Sequence, residues 1–510
     1  MMPARKLESG SPYLSDESKM TGRADMLYMP ENESEVIGIL KDSVKNGRKI
    51  TVSSMRTGVC GGAVPEGGDV LGMEMMNGAV GIGKDDCGFF IRVRPAMTVN
   101  ELNALISKKA FSDLDELTPG AVEEAMKTPL FYPVDPTELN SSIGGNISTN
   151  ASGPRTFKYG PTRNWVRRIR IVLSTGKVLD LKRGDVIAKD NVLDLGEGYA
   201  VRVPSYDFRL GIKNATGIMA SPDLDAVDLF VGSEGIIGVI TEADVYLAPW
   251  HPLISNIMFF PDDVSSYGFV EDLRDSDVVP EFLEYFDGGS LNLIRESRIS
   301  DPKFTGMPDI PEKAGSAVFF DLPYDGSVYG SYDVIGKIAE KYGGSLDDSW
   351  CGHEQNDRQR FFAFRHSVPQ SIFDHVAKIK QKNDVNIHKM GTDMSVPLDK
   401  LDRMMEIYRE TLKKYDLRYV IFGHIGNGHL HVEIMIKSMD DVDRAKTAYR
   451  ELARAAMDLG GSPSAEHGIG KLKNEYITMM YGEKGAEEIK AAKDVLDPTW
   501  TLNVGNMVIR

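Results

Sequence analysis

The stretch IFGHIGNGHLHVEI, residues 421 to 434, places three of the chain's nine histidines within eight positions and separates them with glycines. Imidazoles at this density supply metal ligands or general bases near neutral pH. On a strand, side chains alternate, so His429, His431 and Glu433 share one face. His424 joins them only if the glycine turn at 426 to 428 folds back. Two imidazoles with a distant carboxylate make a divalent-metal set that leaves coordination positions open for a substrate. The same pattern also fits histidines satisfied by backbone near a turn. The later SAEHGIG, from Ser464, adds Glu466 and His467.

A second chemical texture lies in YPVDPTELNSSIGGNISTNASGPRTFKYGPTRNWV, from Tyr132. Gly144, Gly145 and Gly153 let backbone approach a ligand, while Asn146, Thr149, Asn150 and Ser152 add short neutral hydrogen-bonding groups. Such a surface suits a pyrophosphate held by amide N–H groups, and by composition it equally suits a surface loop. Two cations, Arg365 in FAFRHSVPQSI and Lys389 in IHKMGTDMSVP, offer a bidentate clamp and a point charge for a carboxylate.

These residues need elements to position them. Val36, Ile37, Leu40 and Val44 predict a helix over 31 to 46, capped by Gly47 and followed by the strand KITV. Thr98 and Glu101 are spaced as a capping box. After the Gly/Asn/Ser/Thr-rich texture come the strand RIRIVL and the turn STGK, then a polar insertion, roughly 184 to 225. From Pro249 longer helices alternate with strands, which marks a domain boundary.

At 510 residues the chain is long enough for two or three domains. A formal net charge of −16 argues against nucleic acid or an anionic bilayer as the main partner. The sequence shows no signal peptide and no run of about 18 apolar residues, so a cytoplasmic address is expected. Cys60, Cys87 and Cys351 are too few and too dispersed for a disulfide framework or an iron–sulfur cluster. GAVGIGKD, residues 78 to 85, nearly matches a phosphate loop, but Asp85 replaces the magnesium-binding hydroxyl. GxGxxG between strand and helix and HExxH are missing.

Eight pieces run in the order of a known family: RTGVCGGAVPEGG, PVDP, SIGGNISTNASG, YG, GSEGIIGVIT, GHIGNGHLH, EHGIG and LNVGN. The chain resembles the vanillyl-alcohol oxidase and p-cresol methylhydroxylase (PCMH) superfamily, in the branch of D-lactate dehydrogenases, glycolate oxidase D-subunits and D-2-hydroxyglutarate dehydrogenases. The resemblance implies an α+β protein: a two-subdomain PCMH-type FAD-binding domain over 25–248 (subdomains 25–140 and 141–248), an α+β cap (substrate) domain over 249–465, and a C-terminal segment over 466–510 that returns to the flavin, after an N-terminal extension over 1–24. It implies non-covalent FAD lined by Arg56, Thr57, Gly58, Gly61, Gly62, Asp135, Gly144, Gly145, Asn146, Asn150, Gly153, Tyr159, Gly160, Glu234, Gly235, Ile240 and Asn503.

The branch pattern HxGDGNLHxN followed by EHGxG implies His424, His431 and Glu466 as ligands of a divalent metal, zinc or manganese, with His467 as the base beside the substrate. The metal would bind the substrate's 2-hydroxyl and carboxylate while His467 accepts the hydroxyl proton and the C2 hydride leaves for flavin N5. Arg365 matches the substrate-carboxylate arginine, and Lys389 matches more loosely. Three departures stand out. Ser54, Met55 and Arg56 replace glycines before the first TG; Asn427 and His429 replace the pattern's Asp and Asn; Glu433 replaces a substrate-facing Asn. A carboxylate at 433 would repel a dicarboxylate, or would join the metal shell or accept a substrate hydroxyl or amine; a small monocarboxylate, D-lactate or glycolate, is the expected substrate. The resemblance further implies a protein or quinone acceptor, such as an electron-transfer flavoprotein or an iron–sulfur subunit, a homo-oligomer, and peripheral membrane association. An FAD-dependent transferase resembling alkyldihydroxyacetonephosphate synthase is the alternative.

Overall fold

The computed structural model describes residues 4–300, 306–383 and 389–510, so the expected extension 1–24 is described from Ala4 onward. The first helix forms over Glu33–Lys45, where the Asn32 side chain accepts a hydrogen bond from Glu35 N at 3.1 Å. Its apolar face, Val36, Ile39 and Leu40, packs against Ile50, Leu71 and the distant Leu502. Each such buried side chain contributes roughly 1.5–3 kcal/mol. The flanking strands Met26–Tyr28, Asp69–Gly72 and Ile50–Ser53 run parallel, and Ala4–Lys6 adds an antiparallel edge.

A six-stranded sheet follows, in the order Val178–Lys182, Val166–Val172, Val239–Tyr246, Gly88–Val93, Ala79–Asp85 and Asp115–Glu116. Val239–Tyr246 pairs antiparallel with Gly88–Val93, Tyr246 lying opposite Phe90. The expected division of the flavin domain at residue 140 therefore fails, because strands from both sides of it share one hydrogen-bonded sheet. The phosphate-loop look-alike is itself the strand Ala79–Asp85, and Asp85 accepts from Arg167 at 2.7 Å. The capping box at Thr98 and Glu101 is formed in full.

The largest sheet is antiparallel, in the order Trp350–Gly352, Leu253–Phe260, Ser316–Pro323, Glu284–Asp287, Tyr419–His424, His429–Ile434 and Met390–Gly391, with Met394–Ser395 also pairing to His429–Ile434. It is buried on both faces. Along Leu253–Phe260, Ile257 and Phe259 enter one apolar cluster with Phe364 and Val368 of the helix Gln355–Asn383. Met258 and Phe260 enter another with Phe269 of the helix Asp263–Arg274 and Ile335 of Val328–Lys341. The strand is thus apolar at nearly every position rather than alternating.

The C-terminal residues close back on the first two sheets. In the helix Glu475–Leu496, interrupted at Gly482, the Lys493 ammonium donates to Ile236 O at 2.6 Å, Asp497 at 2.7 Å and Leu502 O at 2.9 Å. Leu502 then bridges to Ile50. Among the described residues, no helix is long and apolar enough to cross a membrane.

Candidate active site

The strands Tyr419–His424 and His429–Ile434 form a hairpin closed by a 3-10 turn over Ile425–Asn427. Gly428 completes it at φ 61°, and a Cβ there would lie 2.1 Å from Val396 O, so only glycine fits. The turn does fold back. His424 lies directly opposite His429 in the register, and Phe422 opposite His431. Leu430, Val432 and Ile434 enter the core. The opposite face of that strand carries His429, His431 and Glu433. One ligand atom from each of His424, His429, His431 and Glu466 falls within 4.8 Å of the others.

The supporting hydrogen bonds orient two of these rings. His424 Nδ1 bonds the Glu284 carboxylate, and His431 Nδ1 lies 3.0 Å from Thr392 O. Each bond engages Nδ1 and leaves Nε2 facing the cluster, the arrangement of metal-ligating imidazoles. Nε2 of His424 lies 3.1 Å from Glu466 Oε1, and although burial acts to lower it, Glu284 and Glu466 hold the His424 pKa above its ordinary value. Burial pushes the pKa of His431 well down and that of His429 to about 4, so both rings are neutral donors. Burial acts to raise the Glu466 pKa, but Lys213, His424 and His429 outweigh it and hold the carboxyl well below its usual range. The donor set therefore fits a divalent cation.

Glu466 and His467 are held by a residue of the IHKMGTDMSVP segment that the sequence reading did not single out. Buried Asp393 accepts from the backbone N–H groups of Glu466 and His467, both at 3.1 Å, from Ser464 Oγ at 2.7 Å and from Lys473 Nζ at 2.8 Å. Burial opposes its ionisation, yet His467 and Lys473 hold its pKa well below the ordinary range. His467 Nδ1 lies 3.4 Å from Asp393 Oδ2, and its ring stacks on His431 with centroids 5.8 Å apart. Just over a third of the His467 side chain remains exposed, while His429 is fully buried.

The two expected carboxylate clamps are already paired. Arg365 Nε donates to Glu284 at 2.9 Å, the same carboxylate that orients His424. Lys389 donates to Glu433 at 2.7 Å. Arg365 and His424 hold the Glu284 carboxyl down to about 2 against the opposing effect of its burial. Lys213, which the sequence reading missed, bonds Glu466 and donates to Gly153 O at 3.2 Å. Ser152 Oγ also reaches Glu466, at 3.3 Å. Lys213, Glu284, Asp393 and Lys473 sit far from the histidine motif in sequence, and no spacing pattern links them to it.

The residues implied for the flavin fall into two groups. The loop from Arg56 to Gly62, the helix Ile143–Thr149, the turn at Glu234 and Gly235, and Asn503 are tied together: Glu234 N donates to Ser148 O at 2.7 Å, Asn503 Nδ2 to Glu234 O at 2.8 Å, Val52 N to Asn503 Oδ1 at 2.7 Å and Asn506 Nδ2 to Gly62 O at 3.0 Å. Gly144 sits where a Cβ would meet Pro95 at 2.7 Å, and Gly145 follows it in the same helix. Ile240 lies in the strand Val239–Tyr246 beside a bulge. Asn150 adopts φ 49° and accepts from Arg163 N at 3.0 Å.

A second group lies toward the large sheet. Asp135 accepts from Arg155 N at 3.1 Å, and its backbone packs so closely on Gly153 that no side chain fits there. Tyr159 commits its hydroxyl to Glu281 at 2.8 Å, ahead of Gly160 at φ 75°. The Glu234 carboxylate is likewise taken, by Ile469 N at 2.6 Å and Gly470 N at 2.7 Å.

Two observations test the fit of a pyrophosphate. Among the described residues, the backbone N–H groups of Thr57, Gly58 and the next residues through Gly62 donate to no protein acceptor, and the buried Asn146 Nδ2 has no partner. A run of free N–H groups and an orphaned buried amide both suit an anion. Arg56 replaces a glycine yet holds φ 56°, so the turn survives at a backbone cost of about 1 kcal/mol. Its guanidinium pairs with Glu74 and covers the Tyr13 ring rather than pointing at the cradle. The N-terminal residues reinforce this loop, Glu17 N donating to Arg56 O at 3.2 Å.

An anion cradle made of backbone on two α/β layers, facing a histidine and carboxylate cluster on an antiparallel sheet, defines a flavoprotein oxidoreductase with a separate substrate-side layer. Family models agree. Residues 24–122 and 116–182 match an FAD binding domain, and residues 257–507 match the FAD linked oxidases' C-terminal domain. The chain belongs to the PCMH-type FAD-linked oxidase family and binds FAD. It is 28% identical over 95% of its length to glycolate oxidase subunit GlcD of Bacillus subtilis, covering 88% of that protein. It is 25% identical over 98% of its length to a D-lactate dehydrogenase of Anaerostipes hadrus, covering 93% of it. A solved alkyldihydroxyacetonephosphate synthase shares the fold, with TM-score 0.62 and 15% identity over 95% of this chain and 76% of that one.

Proposed function

We propose that the protein is an FAD-dependent D-2-hydroxy-acid dehydrogenase that oxidises a small monocarboxylate, D-lactate or glycolate, to the 2-oxo acid with the help of a divalent metal. The observation that carries the reading is the convergence of His424, His431 and Glu466 within 4.8 Å of one another, beside the partly exposed His467. When bound, FAD would accept the C2 hydride and the metal would act as a Lewis acid toward the hydroxyl and carboxylate oxygens.

The chain's own residues do the rest. His467 takes the 2-hydroxyl proton, and Asp393, 3.4 Å from Nδ1, sets its tautomer and stabilises the imidazolium that forms. Glu284 and Thr392 O hold the ligand imidazoles in their donor orientation. Because Arg365 and Lys389 already pair with Glu284 and Glu433, they carry little surplus charge for a substrate. One carboxylate is the most that the site accommodates. A cavity of about 320 Å³ lined by Asn150, Ser152, Lys213, Asn427 and Ala465 lies beside the loop of Glu466, although His424, His431 and His467 do not line it.

Electrons leave to a protein or quinone acceptor, an electron-transfer flavoprotein or an iron–sulfur subunit, and the protein works as a homo-oligomer with peripheral membrane association. The transferase reading draws on the shared fold alone, whereas the histidine and glutamate cluster supports substrate oxidation. Anaerobic addition of D-lactate, but not L-lactate, to the purified holoprotein is expected to bleach the flavin absorbance, and a metal chelator is expected to stop the bleaching. A panel of 2-hydroxy acids that all leave the flavin oxidised would overturn the proposal.

A further inference from the structure

His429 stands apart from the other histidines of the cluster. Its ring is fully buried, and neither ring nitrogen makes a hydrogen bond, whereas the Nδ1 atoms of His424 and His431 are both engaged. A buried imidazole without a partner lacks compensation for its lost hydration, and native proteins seldom leave such a group unmet. The ring centroids of His424 and His431 lie 5.2 and 4.5 Å from that of His429. His429 Nε2 lies 3.3 Å from Asp393 Oδ1, out of line for a good bond, and Nδ1 lies 3.7 Å from Glu466 Oε1.

We propose that His429 is a fourth protein ligand of the metal, coordinating through Nδ1 while its Nε2–H turns to Asp393, so that this chain builds a three-histidine, one-glutamate centre. The inference rests on the metal reading above. Where the branch pattern carries Asn, this chain has an imidazole on the same strand face as His431. Three imidazoles and one carboxylate fill a tetrahedral set, which favours zinc over manganese, a metal better served by oxygen donors. With His424, His429, His431 and Glu466 all holding it, the metal would have fewer open positions for substrate oxygens than with three protein ligands. Asp393 thereby acquires a second role, tying the imidazole of His429 to the loop that carries Glu466 and His467.

The test uses FAD-loaded protein reconstituted with zinc, and two readouts that do not depend on turnover. Zinc K-edge absorption counts imidazoles per metal, and competition with a chelator gives the affinity. The wild type is expected to show three imidazoles. His429→Asn is expected to show two and to bind zinc about tenfold more weakly or worse. Flavin absorbance and thermal unfolding check that each variant folds, with His429→Gln as the second variant, and the wild-type imidazole count decides the matter if neither folds. Two imidazoles in the wild type, or unchanged affinity in a folded variant, overturn the role of His429 and leave the metal reading intact. A wild type that binds no zinc overturns both.

Discussion

Lys389 Nζ lies 2.7 Å from Glu433 Oε1, while the second oxygen of Glu433 is buried without a partner. Lys389 is therefore neutralised before any substrate arrives, and the free oxygen adds negative character to the same wall. Replacing Glu433 with Gln releases Lys389. The expected outcome is a rise of about tenfold in kcat/KM for a 2-hydroxy dicarboxylate relative to D-lactate, about 1.4 kcal/mol of relieved repulsion. Steady-state kinetics on both acids checks it, and an unchanged ratio removes Glu433 from the account of specificity.

Glu284 serves two cations, Arg365 and His424. Glu284→Gln leaves the guanidinium without its counter-charge and weakens the bond that sets the His424 tautomer. Zinc affinity is expected to fall about 10- to 100-fold, and thermal stability to fall as well. Chelator competition alongside a melting curve separates the two effects; a variant with wild-type affinity would show that the carboxylate is not needed to orient the ring.

Asn503 links the strand Ile50–Ser53 to Glu234 through hydrogen bonds at both ends of its amide. Asn503→Ala orphans Val52 N and leaves Glu234 O with only the Asn506 amide at 3.4 Å, at a cost of roughly 1–3 kcal/mol. The variant is expected to melt earlier and to lose flavin on gel filtration, which absorbance at the flavin band reports.

Burial pushes the Glu234 carboxyl up to about 7, against the hydrogen bonds it accepts from Ile469 and Gly470. Its folded pKa thus exceeds the unfolded value, so the folded state holds a proton that the unfolded state has released. The stability this group contributes is complete below about pH 4 and is lost as pH rises to about 7, a change on the order of 3 kcal/mol. Glu234→Gln removes that slope. The melting temperature of the variant relative to wild type should therefore improve between pH 5 and pH 8, and an equal offset at both pH values would count against the shift.

Much of the local structure was legible from residue order. Thr98 caps the helix that its spacing to Glu101 predicts, and the period-two pattern of HLHVEI correctly placed His429, His431 and Glu433 on one face. The partition at residue 140 was not legible. Gly88–Val93 pairs with a strand about 150 residues later, and long-range antiparallel pairing leaves no local mark.

The sequence by itself determined the donors: histidines, glutamate and glycines in an order that names a flavin family and nominates a metal. Only the tertiary structure decided how they are used. It folded the turn at Gly428 so that His424 faces His429, brought Asp393 beneath Glu466 and His467, and paired Arg365 and Lys389 with carboxylates. Spacing fixes which face a side chain leaves. Its partners are set by long-range packing, which brings charges hundreds of residues apart into a space too dry to leave any of them alone.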